Sequence, residues 1–344
     1  MKLTIETYAN PTFRARPQRV AEASEAPAGS LLEKLRSHKF EIIEKPFGHI
    51  SSFNFRREVF NSGKWTEVSK VARGLFLNVE DGSIAARGYD KFFNYRERSF
   101  NSDKFLVENL KWPVVAYKKY NGFLGLLGYD KKDDKLMFCS KSSVSGTYPE
   151  IFQRVFELKH KDIDEPVKKR LAGRKSTLVF EVIDPEADPH IVKYSEPRVV
   201  LLDEIADTPV FSHTSYEELC KLAQTLGFEV KERVAEFKDW DSLKKFIDFS
   251  KSYESIQGEE GWVFEDTDGY HFKLKTAWYT TWKQLRKLKA DIVARHSFST
   301  SCLTSPIMNY FYEWMKKQDP EKLERMSIVD AREEFFKQRE MTIS

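Results

Sequence analysis

The spacing of apolar and polar residues predicts paired strands over most of the chain and helices at its end. Leu75, Leu77 and Val79 alternate with Phe76 and Asn78, Asp81-Gly82 supplies a hairpin turn, and Ile84-Ala85-Ala86-Arg87 reads as the returning strand. Phe53-Asn54-Phe55 lies in an earlier short strand, and residues 88–94 form a compact turn that sets Lys91 beside Phe92 and Phe93. The apolar run Val114-Val115-Ala116 delivers Lys119 to the turn Tyr120-Asn121-Gly122, where a small polar residue and a glycine let a backbone or a phosphate come close. Residues 123–129 and 136–143 read as two strands joined by a charged connection, with Met137, Cys139 and Lys141 on one face. Residues 178–183 are apolar except for Glu181, and 199–202 form another strand. The last hairpin, 260–264 and 270–275, turns at Asp268-Gly269 and puts Phe272 and Leu274 on one face, Lys273 and Lys275 on the other.

Helical spacing marks residues 31–38 behind a capping Ser30, 148–171, 216–226 ending at Gly227, and 240–249. From Trp278 the pattern is helical to the end: Leu285, Leu288 and Ile292 form a core stripe ringed by Lys283, Arg286, Lys287 and Lys289, and Pro320 opens a last helix through Phe335 and Phe336. The pattern predicts an α+β fold, antiparallel sheets flanked by helices with a small all-α C-terminal domain. The expected divisions are a partly mobile arm over 1–30, carrying Pro11, Pro17 and Pro27, a main domain over 31–282, and the helical domain over 283–344.

Composition changes this picture little. With 344 residues, 41% hydrophobic and 14% aromatic, the chain can bury a sizeable core. Lys+Arg 56 against Asp+Glu 53 leaves +3, so any polyanion site must be local. Cys139, Cys220 and Cys302 show no C-x-x-C spacing, which argues against structural zinc and a disulfide framework. No apolar run reaches the roughly 20 residues a membrane helix needs. The expected setting is intracellular and cytoplasmic, without a membrane partner. Gly122, Gly125 and Gly128 have the wrong spacing for a dinucleotide loop, and G-x-x-x-x-G-K-[ST] does not occur.

The candidate charged residues, nearly all on or beside strands, are Arg73, Lys91, Lys119, Lys141, Glu181, Glu260, Lys273 and Lys275. A free lysine, with a pKa of about 10.4, is a poor nucleophile at neutral pH, and neighbouring cations with a bound metal favour its neutral amine. The same cations suit a triphosphate and a pyrophosphate leaving group. Glu181 and Glu260 offer the hard oxygens magnesium prefers. The set fits attack of a lysine on an α-phosphate. Lys118 competes with Lys119, but only Lys119 has glycine three residues on; Glu259 competes with Glu260; and Arg73 has Glu67 or Glu80 as alternative partners.

The order Lys119-Tyr-Asn-Gly, Phe138-Cys-Ser-Lys141, Phe180-Glu181, Glu260-Gly261 and Lys273-Leu-Lys275 resembles the ordered motifs of the covalent nucleotidyltransferases, the superfamily of polynucleotide ligases and capping enzymes. Ala72-Arg73-Gly74, Asp90-Lys91-Phe92-Phe93-Asn94 and Lys273 to Tyr279 narrow the resemblance to the phage RNA ligase 1 group and the ligase domain of fungal tRNA ligases. It implies the ATP-grasp-like ligase fold, with Lys119 as the nucleophile that accepts AMP. Arg73, Lys91, Lys273 and Lys275 would contact ATP phosphates, Glu181 the nucleotide sugar, and Glu260, with Glu181, a Mg2+ or Mn2+ ion. Lys141 would lie close to the adenylate, Gly122 and Phe53 near the nucleotide, and Tyr279 would serve a later ligation step. The implied reaction is ATP-dependent joining of RNA 3′-OH and 5′-phosphate ends in RNA repair or tRNA splicing, by an enzyme expected to act as a monomer. Broken tRNA is a candidate substrate, and an end-healing kinase or phosphatase a candidate partner. A capping-type guanylyltransferase, which usually carries an OB-fold after the last lysine motif, and a silent RNA-binding protein on the same scaffold are the competing readings.

Overall fold

A computed structural model describes residues 28–296 and 303–343. The predicted arm falls almost wholly outside the described residues, as does Cys302. Helix α1 (Ala28–Ser37) precedes a sheet of four antiparallel strands in chain order, β1 (Ile42–Phe47), β2 (Ile50–Phe55), β3 (Leu75–Asn78) and β4 (Ile84–Arg87), with α2 (Arg57–Ser62) and α3 (Glu67–Val71) between β2 and β3. One face packs Phe53, Leu75 and Leu77 against Leu32 and Leu35 of α1. The other lays Ile50 and Phe76 on Leu126 and Val179 of the next sheet.

The next segments are β5 (Phe93–Asn94), α4 (Asp103–Asn109), β6 (Val114–Lys119), β7 (Phe123–Asp130), β8 (Lys135–Cys139), α5 (Thr147–His160), α6 (Asp164–Arg174), β9 (Ser176–Ile183) and β10 (Arg198–Ala206). They are followed by α7 (Tyr216–Leu226), β11 (Glu229–Val230), β12 (Arg233–Phe237), α8 (Trp240–Ser250), β13 (Gly261–Glu265) and β14 (His271–Lys275). The strands make two five-stranded sheets, β11-β10-β9-β7-β8 and β12-β6-β13-β14-β5. Consecutive strands β6 and β7 therefore belong to different sheets, and the turn Tyr120-Asn121-Gly122 carries the chain across. Each sheet buries its apolar face under helices: Phe180 and Val182 meet Phe152 and Phe156 of α5, while Phe264 and Phe272 meet Leu243 and Ile247 of α8. Period-two alternation then turns Glu181 away from the α5 side and Lys273 and Lys275 away from the α8 side. The polar faces of the two sheets flank the crossing turn.

After β14 the described residues form only helices: α9 (Ala277–Val293), α10 (Pro306–Met315), α11 (Pro320–Arg325) and α12 (Ile328–Ile343). Their core, around Trp282, Phe311 and Phe335, also takes in Ile191 and Val192 from the β9–β10 connection. No strand, and hence no OB-fold, follows β14 among the described residues. No helix among them is long and apolar enough to cross a membrane.

Four local expectations need correction. The helix expected over 148–171 is two helices, because Pro166 has no N–H to continue the ladder and its ring crowds the preceding turn. The last helix is likewise broken: Met326 is extended, and Ser327, whose hydroxyl accepts from Asp330 N at 3.1 Å, starts a new one. The strand expected over 136–143 ends at Cys139, where Ser140 N donates to Ser143 O at 2.9 Å and closes a turn. Ser30 lies inside α1, not at its cap.

Trp282 is fully buried, with its ring 5.1 Å from that of Phe311. Trp282→Ala is expected to cost about 3–5 kcal/mol in urea unfolding; a loss below about 1 kcal/mol would contradict this packing.

Candidate active site

Strand β13 lies between β6 and β14, and Gly261 stands in register with Lys119 on one side and Lys275 on the other. Its φ of +151° suits glycine, and a Cβ here would lie 1.9 Å from Leu274 O. Glu260, one residue before it, is 3% exposed, and its Oε1 is 2.9 Å from Lys119 Nζ and 3.0 Å from Lys275 Nζ. The other oxygen accepts from Asn121 Nδ2 at 2.9 Å. The neighbouring pair is satisfied separately, Lys118 Nζ lying 2.7 Å from Glu259. The register thus separates two ion pairs and selects Glu260, whose side chain is 4% exposed against 28% for Glu259, for the interior.

Asn121 ties the crossing turn to its surroundings. Its Oδ1 accepts from the backbone N–H groups of Ile191 and Val192 at 3.1 and 3.0 Å, its Nδ2 also reaches Tyr279 Oη at 3.3 Å, and its own N–H donates to Tyr194 Oη at 3.0 Å. At Gly122 a Cβ would fall 2.1 Å from Val182 O, so the chain can pass β9 only without a side chain. The Gly122 N–H then donates to Glu181 Oε1 at 2.8 Å, joining the turn to the second sheet.

The charges divide into two groups. Burial alone would lower the Lys119 pKa, but Glu260 and Glu181 outweigh it and raise it. Glu260 itself is held down by Lys119 and Lys275 against its burial. Glu181 is pushed up, by burial first and by Glu260, although Lys119 and Arg73 oppose the rise. Lys273 is the reverse case: burial, then Arg73, Lys91, Lys119 and Lys275, push it down to about 7. Burial likewise brings Lys91 down to about 8. Cations without enough carboxylate to balance them are a ready receptor for a polyanion.

The model of the RNA ligase family matches residues 71–279. The chain belongs to that family. RNA ligase 1 of bacteriophage TS2126 is 30% identical over 221 residues, which is 61% of this chain and 51% of the phage protein. The tRNA ligase of Candida albicans is 25% identical over 296 residues, 73% of this chain and 35% of the fungal protein. The chain thus spans about half, or less, of the length of these curated relatives. Among solved structures, an archaeal ATP-dependent RNA ligase superposes with a TM-score of 0.54 at 12% identity, covering 85% of this chain and 73% of that one, a likeness of fold.

Within the ligase scaffold the structure brings together Lys119, Glu181, Glu260, Lys275, Gly122 and Tyr279. Arg73 has Glu181 as its charged neighbour, because Glu67 pairs with Lys70 and Glu80 with Lys132. Lys91 Nζ lies 3.8 Å from the Phe93 ring centroid and 5.2 Å from that of Trp65, while Phe92 faces Lys273 at 4.9 Å. Lys141 stands just beyond β8, 5.8 Å from the Phe55 ring centroid, with Arg73 as a charged neighbour. Phe53 is not at the site. It is wholly buried on the α1 side of the first sheet, and Phe55 is the aromatic that meets the cations. Tyr279 is buried, and its phenol is pushed up to about 12 by burial and by Glu260. Sequence reasoning missed Asn121 as a bridge and Tyr194 altogether. The first was visible as the polar residue of the turn, whereas no spacing signals the second.

An anion seated among these lysines favours their protonated forms. At pH 8, Lys273 of the free protein is mostly neutral, so pyrophosphate binding is expected to draw in a proton, and affinity to fall as pH rises above about 7. Calorimetry in buffers of differing ionisation enthalpy reads this uptake; Lys273→Met should reduce it by most of one proton, and an unchanged uptake would contradict the assignment.

Proposed function

We propose that this chain is an ATP-dependent RNA ligase that works through a covalent lysyl-AMP. The observation that carries the reading is the half-buried Lys119 amine beside Glu260 and Lys275, facing Glu181, with the depressed Lys273 and Lys91 nearby. Family membership supports it. Lys119 Nζ would attack the α-phosphorus of ATP, forming a P–N bond as the bond to the β-phosphate oxygen breaks and pyrophosphate leaves. Arg73, Lys91, Lys273 and Lys275 would take the charge that builds on the departing oxygens. AMP would then pass to an RNA 5′-phosphate, and a 3′-hydroxyl would displace it, with Tyr279 serving that later step.

In the ligand-free chain Lys119 is an ammonium, held by Glu260, and must lose its proton before it can attack. Glu260 and Glu181 suit a divalent cation, being hard-oxygen donors, the first buried and the second half-buried, with Glu260 raising the cost of ionising Glu181. Bound there, Mg2+ or Mn2+ would supply positive charge that competes with Lys119 for the carboxylates and favours the neutral amine. Arg73 and Glu181 supply opposite charges within reach of a nucleotide, and Lys141 a further cation at its edge. The helices that follow β14 among the described residues favour this reading over a capping-type guanylyltransferase. The organisation that accompanies it is a ligase domain over 31–282 and a helical domain over 283–344. The proposed substrate is RNA with 5′-phosphate and 3′-OH ends, broken tRNA among them, and a separate end-healing enzyme would prepare such ends.

The test is incubation with magnesium and ATP labelled at the α-phosphate, with GTP in parallel. Label from ATP should survive denaturation in the wild type and vanish in Lys119→Ala. Protein freed of bound AMP that takes no label would sink the mechanism, and label from GTP alone would indicate capping.

A further inference from the structure

A second cluster lies at the far end of the same hairpin. Glu265 closes β13 and His271 opens β14 as its register partner, four residues along β13 from Gly261, or about 13 Å. His213 reaches them from the β10–α7 connection, where a bridge to Ile205 fastens it to the second sheet. His213 Nε2 lies 3.3 Å from Glu265 Oε1, and His271 Nε2 lies 3.5 Å from Glu265 Oε2. One ligand atom from each of the three falls within 4.8 Å of the others. Two ligands bound tetrahedrally at zinc distances are about 3.4 Å apart, which is the spacing of each histidine from Glu265.

The hydrogen bonds behind the histidines support the same conclusion. His271 Nδ1 lies 2.8 Å from Gly269 O, which can only accept, so that nitrogen carries a proton, and Nε2 is the atom the ring would offer to a metal. The His271 side chain is 8% exposed, and its Nε2 is buried without a hydrogen-bond partner, aimed at a carboxylate. With the ring neutral, two lone-pair donors would face each other in a buried place, an arrangement that a cation between them relieves. His213 Nδ1 is 3.3 Å from Asp203 Oδ1, the carboxylate-behind-histidine arrangement that orients metal-bound imidazoles. Lys231 Nζ, 3.5 Å from Asp203 and 3.7 Å from Glu265, is the fixed cation beside the two carboxylates.

We propose that His213, Glu265 and His271 bind a zinc-class divalent cation that clamps the β13–β14 hairpin to the β10 sheet, at a site separate from Glu260 and Glu181. Two imidazoles and one carboxylate select zinc over magnesium, which takes oxygen donors. Three protein ligands leave a fourth position for water. The clamp joins the sheet that carries Lys119 to the sheet that carries Glu181, at the end of the hairpin away from both.

The experiment uses the untagged full chain, stripped with chelator and titrated with Co2+ in excess Mg2+. One equivalent should bind with the visible absorption of a tetrahedral site, be displaced by Zn2+, and raise the urea midpoint. His213→Gln and His271→Gln should each weaken Co2+ binding about 100-fold and remove the midpoint shift. A wild-type protein that takes up no stoichiometric Co2+ would overturn the proposal. So would a signal that persists in both variants or that disappears instead in His49→Gln, since His49, Asp130 and Asp133 form a further group of close ligand atoms.

Discussion

A carboxylate sealed from water stays charged only where cations and donors replace the water, and Glu260 is the place where this chain meets that condition. Its oxygens are divided between Lys119, Lys275 and Asn121, which come from β6, β14 and the crossing turn. Removing any one partner from such a group leaves the rest unbalanced, so strand register, turn conformation and the glycine at 261 are constrained together. The register that sets Gly261 between the two lysines is what lets both ammonium groups converge on a single oxygen.

The same arrangement separates cations that are paired from cations that are not. Lys119 spends its charge on carboxylates and is pushed towards the ammonium form, whereas Lys273 and Lys91 are buried beside other cations and pushed towards the amine. A polyanion would relieve the second group, and a change in the charge near Glu260 would release the first. In the ligand-free protein Lys119 is therefore held as the ammonium, in line with the expectation that neighbouring cations need a bound metal beside them to favour its neutral amine. The carboxylates win because Glu260 is in direct contact with the amine.

Much of this was legible in the chain because short motifs report on local backbone needs. The Lys-x-Asn-Gly turn and the isolated Glu181 in an apolar run each interrupt a periodic pattern, the paired lysines of β14 share the polar face of theirs, and all three lie at the candidate site. Alternation located the strands, but it could not say that β6 and β7 enter different sheets, since that depends on long-range pairing. Phe53 and Phe55 illustrate the limit. They are two residues apart in one strand, yet the first is enclosed beneath α1 and the second reaches the cations. Helix breaks at Pro166 and Ser327 were open to the rules of capping, whereas Tyr194 and the His213–Glu265–His271 group depend on segments far apart in sequence.

The helical segment is tied to the site by more than adjacency. Helix α9 starts from Thr276, whose hydroxyl accepts from Tyr279 N at 3.1 Å and donates to Glu259 O at 2.7 Å, so the first turn of α9 is fastened to the residue before Glu260. Tyr279 then belongs to the helical core and also meets Asn121. From the other side, Arg332 of α12 donates to Ile191 O at 2.9 Å, Ile191 donates its N–H to Asn121, and Asn121 donates to Glu260. The geometry of Glu260 thus rests on a chain of hydrogen bonds that begins in the last helix. A displacement of α12 against α9 must either break a bond to a buried group, at a cost of about 1–3 kcal/mol, or carry Asn121 with it.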